Sequence, residues 1–244
     1  MFLSVKRANF TAWLLLVVLV GITRPGMAAE PRPESPVAAV DTASGSPSPV
    51  LNARLAYQNA WANHRLLGAC SALSQEEFEA ARTSFFPSIK ATLNHIVTVD
   101  WMYADAIERA VAGKPPHPDI GSFYEPREPF ATLAGLAPAQ AAVDGRFIAS
   151  CVALTAADLE RPVAILRRKG RVEEAMHRLL AHVFEHQIHH RGQVHAMLAG
   201  TGVAPPQLDE FFSANEADLR ADDFRRLGFS EAAIWGGPGP GSRT

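Results

Sequence analysis

The residues best suited to chemistry stand together in His186-Gln187-Ile188-His189-His190-Arg191-Gly192-Gln193. Successive residues of an α-helix turn by about 100°, so His186 and His190 lie one turn apart on one face. Two imidazoles at that spacing can point at one ion, which is how a helix offers two ligands to a divalent transition metal. The same face continues back to His182 and forward to Gln193, and Leu179, Val183, Val194 and Met197 share it. A polar stripe in such company is buried with its neighbours, and buried imidazoles need partners. Histidine-rich faces also occur solvated on protein surfaces. The apolar company argues against that reading here, and so does Gly192. An interior glycine costs about 1 kcal/mol relative to alanine, so Gly192 predicts close approach by another backbone or side chain.

The other chemistry of the chain is defined by what surrounds this stripe. A zinc protease helix carries a glutamate directly after its first histidine, where it acts as base. Here that position is Gln187, and Glu185 points about 100° away, so protease chemistry is not indicated. No G-x-S-x-G and no G-x-x-x-x-G-K occurs. Gln193 is placed either to contact a substrate or a bound water, or to make a hydrogen bond between helices. Arg191 lies off the histidine line and is expected to pair with a buried carboxylate, with Asp100 as candidate. His182 reads as a satisfied core histidine, with an additional ligand as the alternative. His189 and His195 do not read as ligands, and His64 and His177 have no evident partner. Trp61 and Trp101 read as core aromatics.

Four long helices would position these residues. The first spans residues 51–73. The second opens at Ser74, which with Glu77 has capping-box spacing, and runs to about Ala112 with a bend or restart at Pro87. After Gly113-Lys114-Pro115-Pro116 a long loop reaches about Leu136. The third helix has Pro138 in its first turn and ends near Ala153. Arg161 to Val172 forms a small β-hairpin or an irregular turn. The fourth helix runs from about Glu173 to Gly200. Residues from Asp209 to Trp235 add one or two short helices over the bundle. The expected fold is all-α, a four-helix bundle with one long crossover loop.

His186 and His190 followed by Arg191-Gly192-Gln193 resemble the H-x-x-x-H-R-G-Q signature of the DinB family, metal-binding four-helix bundles grouped with bacterial thiol transferases. The resemblance runs from about Leu51 to about Leu208. It takes in the opening Tyr57-Gln58-Asn59-Ala60-Trp61 and the Gly202-Val203-Ala204-Pro205-Pro206 exit from the last bundle helix. It implies a third ligand from an earlier helix, which in this chain is His95, so that His95, His186 and His190 form the metal site. It also favours the hairpin before the fourth helix. Zinc is the first choice of metal, with nickel, iron or manganese as alternatives. Three histidines leave zinc an open position for water or substrate. Such an ion can lower the pKa of a bound water towards about 7, or hold a thiol as thiolate. Membership implies fold and metal, not a reaction.

The ends carry a different message. Lys6 and Arg7, an apolar run over residues 10–22 and Gly26-Met27-Ala28-Ala29 have the layout of a secretory signal peptide cleaved after Ala28 or Ala29. The alternative is an uncleaved N-terminal anchor, although the apolar run falls short of the roughly 20 residues of a spanning helix. Residues 30–50, rich in Pro, Ser and Gly, read as a disordered linker. Residues 51–235 form the bundle domain, and residues 236–244 a tail. Export, to the periplasm in a Gram-negative cell, is the expectation from this layout. Loss of residues 1–29 removes Lys6, Arg7 and Arg24 and no acid, taking the formal charge from −2 to about −5. No basic nucleic-acid footprint is present, and Arg167-Arg168-Lys169 reads as an exposed turn. Cys70 and Cys151 read as two buried small side chains, with a disulfide as the alternative.

These observations leave three functions. The chain is a metal-dependent transferase or hydrolase acting on a small molecule, a non-catalytic metal-binding stress-response protein of the cell envelope, or a structural bundle whose histidines only pack. The expected partner is a small-molecule substrate, with no nucleic acid, no stable membrane anchor after cleavage, and a homodimer left open.

Overall fold

The structure is a computed structural model that describes residues 47–167 and 170–236. Side-chain caps and prolines set most of its helix ends. α1 (Pro49–Cys70) begins after Ser48, whose Oγ accepts from the Leu51 amide, with proline where no amide partner is required. The short α2 (Gln75–Glu79) is opened by the expected capping box of Ser74 and Glu77. It does not continue to Ala112. The chain leaves the helix at Ala80, and α3 (Ile89–Val111) starts afresh from Ser88, whose Oγ accepts from the Ala91 amide. Pro87 sets where α3 can restart, since it forces the preceding residue out of helical geometry, but the exit at Ala80 lies too far upstream to be its effect.

α4 (Leu133–Ala153) opens at Thr132, so Pro138 lies inside the helix and not in its first turn. An interior proline costs about 3 kcal/mol. Capping by Thr132 and complete burial of Leu136 in the turn before it offset that cost. After α5 (Ala156–Leu159), the strands β1 (Pro162–Arg167) and β2 (Gly170–Ala175) form an antiparallel hairpin that pairs Val163 with Glu174 and Ile165 with Val172. Because Glu173 belongs to β2, α6 (Met176–Leu198) starts later than its periodicity suggests. α7 (Ala217–Leu227) and α8 (Glu231–Trp235) complete the order. With the 3-10 turn Glu210–Phe212 before them, they bring Phe211, Phe224 and Ile234 over Trp61 and Ala62 of α1.

α1, α4, α3 and α6 form a ring in that order, each packed on its two neighbours. One end of the bundle gathers Leu66 and Cys70 of α1, Ile89 and Leu93 of α3, Leu136 of α4 and Leu198 of α6. The other end gathers Ala56, Ile107, Cys151 and Met176. α3 and α4 therefore run parallel, and the long segment between them is the crossover that two parallel neighbours require. Cys70 and Cys151 are free and lie in opposite apolar clusters, which settles them as buried small side chains. Between the clusters lies a buried polar layer of Asn59, Asn63, Asp100, Gln140, Asp144, Gln187 and Arg191.

No helix among the described residues is long and apolar enough to cross a membrane. The expected signal segment, the expected linker up to residue 46, Arg168 and Lys169 of the expected exposed turn, and the expected tail from residue 237 lie outside the described residues.

Candidate metal centre

α3 and α6 run antiparallel along one seam, and there the structure brings His95, His186 and His190 together. Nε2 of His95 lies 3.1 Å from Nε2 of His186. The His95 ring centroid is 4.7 Å from that of His190, and the His186 and His190 rings are 4.4 Å apart. One nitrogen from each ring falls within 4.8 Å of the others. Tetrahedral zinc with bonds of about 2.0–2.1 Å holds its ligands roughly 3.3 Å from one another, so the group is close to the size an ion needs.

The protonation states fit as well. Burial pushes His95 down to about 3 and His186 down to about 2, with the neighbouring histidines adding to both shifts. Burial also lowers His190. All three imidazoles are therefore neutral at ordinary pH and present lone pairs. Nδ1 of His190 lies 2.9 Å from the amide oxygen of Gln193. That oxygen can only accept, so the His190 proton sits on Nδ1 and Nε2 is left free to ligate. Gln193 Nε2 in turn lies 3.0 Å from Nε2 of His189. Gln193 thus orients a histidine on its own helix, and among the described residues it makes no hydrogen bond to another helix. His186 Nδ1 is buried with no hydrogen-bond partner among the described residues.

Two aromatic rings flank the group. Phe86 lies 4.4 Å from the His95 ring and 5.5 Å from the His190 ring, and Phe85, 64% exposed, stands at the rim 6.5 Å from His190. Both come from residues 80–88, where Arg82 closes the loop by donating its amide to the Pro87 carbonyl at 2.8 Å and Nη1 to the Glu77 carbonyl at 2.7 Å.

The polar layer sets the angle at which α6 presents its histidines. Gln187 and Arg191 each come one residue after a site histidine, so they point about 100° further round, into the core. Gln187 Nε2 donates to Asp100 Oδ2, which also accepts from Gln140 Nε2 at 2.8 Å. Asp144 accepts from Asn59 at 3.0 Å and from Asn63 at 2.9 Å. Arg191 does not meet Asp100 directly, contrary to expectation. Instead Nη1 donates to the side-chain oxygens of Asn59 and Asn63, whose amides donate to Asp144, and to the Gln187 oxygen at 3.4 Å, whose amide donates to Asp100. Burial, then the Asp144 charge, raises Asp100 to about 8; burial raises Asp144 to about 6 and lowers Arg191 to about 10. Two carboxyls share one guanidinium, so the layer is neutral when Asp100 keeps its proton. Asp100 Oδ1 has no partner among the described residues and is the place for that proton, since Oδ2 already accepts two amide donors.

Several expectations need correction. Gly192 is exposed, and a Cβ there would meet nothing within 4 Å, so no close approach explains it. His182 is exposed rather than a core residue, because the seam opens to solvent one turn before His186; its ring is 6.2 Å from that of His186 and 5.6 Å from that of Tyr103. His64 lies 3.7 Å from Asp223, and His177 Nδ1 lies 3.0 Å from the Leu159 carbonyl oxygen, so both have partners. His195 lies 3.0 Å from the Pro206 carbonyl oxygen, away from the group, as expected of a non-ligand.

The model of the DinB family matches residues 49–223, a span that includes all four bundle helices and the three clustered histidines. Among curated proteins no match was found.

Proposed function

Since the chain belongs to the DinB family, we propose that His95, His186 and His190 hold a divalent transition metal, zinc first, at the centre of an exported, metal-dependent transferase or hydrolase acting on a small molecule. The observation that carries the reading is the convergence of three neutral imidazoles from two helices on one point. An ion held there would supply a Lewis acid with an open coordination position, able to lower the pKa of a water or thiol that binds it.

The chain's own residues supply the rest. Gln193 keeps the His190 proton away from the ligating nitrogen. Phe85 and Phe86 cover one side of the group and limit water there. Gln187, which stands where a zinc protease has its base, is spent on Asp100 in the core, so proton transfer from a water would fall to solvent or to the substrate. The exposed His182 and His189 flank the group, with rings 6.2 Å from His186 and 4.8 Å from His190. The export part of the proposal rests on Lys6, Arg7, the apolar run and the small residues before Glu30.

The test uses zinc-loaded protein with two probes, an activated ester in water and an activated aryl halide with a low-molecular-weight thiol. The proposal expects turnover of one of them that falls by at least ~10-fold in His190→Ala. Zinc-dependent binding without turnover of either would support the non-catalytic envelope protein instead. Equal rates in wild type and His190→Ala would reject the histidine group as the reactive centre.

A further inference from the structure

A cleft of about 470 Å³ opens where the end of α3 meets the hairpin, and no histidine lines it. Its volume lies within the range of small-molecule sites, roughly 300–1,000 Å³. Ala106 and Ala110 of α3 and Ala164 of β1 give it a floor of small apolar groups. Every charged side chain that lines it is cationic: Arg109, Lys114, Arg161 and Arg171.

Three of these cations have carboxylate partners, and none of those carboxylates lines the cleft. Asp105 holds Nε of Arg109 at 2.7 Å, Asp158 holds Nη2 of Arg161 at 2.7 Å, and Glu173 holds Nε of Arg171 at 2.9 Å. Each acid fixes its guanidinium and leaves donors over: Nη2 on Arg109, Nε on Arg161 and Nη1 on Arg171. Lys114 has no ion-pair partner among the described residues, so its full charge is available.

The end of α3 ought to oppose an anion, because its last carbonyls carry the negative end of the helix dipole. Here they are covered. Arg161 Nη1 donates to the Ala110 and Val111 carbonyls at 3.2 and 3.3 Å. Gly113, at φ +64, turns the chain so that the Lys114 amide donates to the Arg109 carbonyl at 2.8 Å. The same turn fixes the root of the Lys114 side chain, and Pro115 and Pro116 stiffen the backbone immediately after it.

We propose that this cleft is a second binding site, separate from the histidines, for a small organic anion: a carboxylate or phosphate ester whose charged end meets Lys114 and Arg171 and whose apolar body rests on the alanines. The experiment is calorimetric titration of the full chain with phenyl phosphate at constant ionic strength. Saturable binding of one phenyl phosphate per chain is expected, unchanged by His190→Ala. The Lys114→Ala/Arg171→Ala double variant should weaken it at least tenfold, while Lys114→Arg retains it. Both altered residues are exposed, and circular dichroism verifies the fold of each variant. No saturable binding, loss of binding in His190→Ala, or undiminished binding in the double variant would overturn the proposal. So would binding to phosphatidylglycerol vesicles with none to phenyl phosphate, which would assign the cations to a lipid headgroup.

Discussion

Replacing Arg191 with leucine tests how the core holds α6 in place. Arg191 is 3% exposed and its Nη1 serves Asn59 and Asn63. Leucine removes the only cation in a layer that contains Asp100 and Asp144. Removing one partner from a buried ionic group costs about 3–5 kcal/mol, much of it the stranding of what remains. For a domain of this size each kcal/mol lowers Tm by about 2–4 °C, so the loss should be on the order of 10 °C near pH 8. The pH dependence separates this cause from a simple packing defect. Both carboxyls have folded-state pKa values above the ordinary 3.8, about 6 for Asp144 and about 8 for Asp100. The stability they contribute is thus fully present below the unfolded value and is lost as pH rises through the folded ones. Arg191 lowers both values, so without it both rise further and the loss with pH becomes steeper. Near pH 5 the carboxyls are protonated and the arginine is itself an unpaired buried charge, so its removal costs less. Urea unfolding followed by circular dichroism at pH 5 and pH 8 reads both values. A deficit below about 1 kcal/mol, or one of equal size at the two pH values, would refute the charge-balance account. Asp144→Asn added to Arg191→Leu should recover part of the loss at pH 8.

Asp100→Asn copies the protonated carboxyl, with its amide oxygen accepting from Gln140 and Gln187; it should be more stable than wild type at pH 8 and flatten the fall in stability between pH 4 and 8, and lower stability at pH 8 would count against a proton on Asp100. Gln193→Leu frees the His190 tautomer and should weaken metal binding by about 10–100-fold in a chelator competition, whereas unchanged affinity would mean that the 2.9 Å contact does not orient the ring. N-terminal sequencing of protein taken from its native cell should begin at Ala29 or Glu30, and intact Met1 in a soluble cytoplasmic fraction would contradict export.

The i, i+4 pair of His186 and His190 is readable from helical geometry alone, because both ligands sit on one continuous helix. His95 is not, since nothing in the spacing around it marks a ligand, and only the family resemblance supplies it. Phe85 and Phe86 escape a sequence reading for a specific reason. Pro87 reads as a bend within one helix, whereas the chain has already left the helix at Ala80, and that hides the loop which carries them to the site. Gln193 falls on the histidine face as expected, but its three-residue offset from His190 is the better guide, being the reach of a hydrogen bond within one helix. The polar layer does leave a trace. Asn59 and Asn63, Gln140 and Asp144, and Gln187 and Arg191 are i, i+4 polar pairs in otherwise apolar surroundings on three helices. Each pair alone resembles a solvated face, and only the packing of α1, α4 and α6 shows that they face one another. The helix start at Ser74 obeys a local rule, and so does the early start of α4, where the Thr132 cap outweighs the signal of Pro138; the hairpin before α6 is favoured over an irregular turn only by the family resemblance.

The claim that His95, His186 and His190 are a metal site is tested most directly by zinc stoichiometry and X-ray absorption on the purified full chain and its His95→Ala, His186→Ala and His190→Ala variants. The account predicts one ion per chain in wild type, a first shell with three imidazole nitrogens at about 2.0–2.1 Å, and a loss of occupancy in each variant with the helical signal retained. Full occupancy in the His95→Ala protein, or a wild-type first shell without histidine nitrogens, would show that the ion, where it binds at all, binds elsewhere and that these histidines only pack.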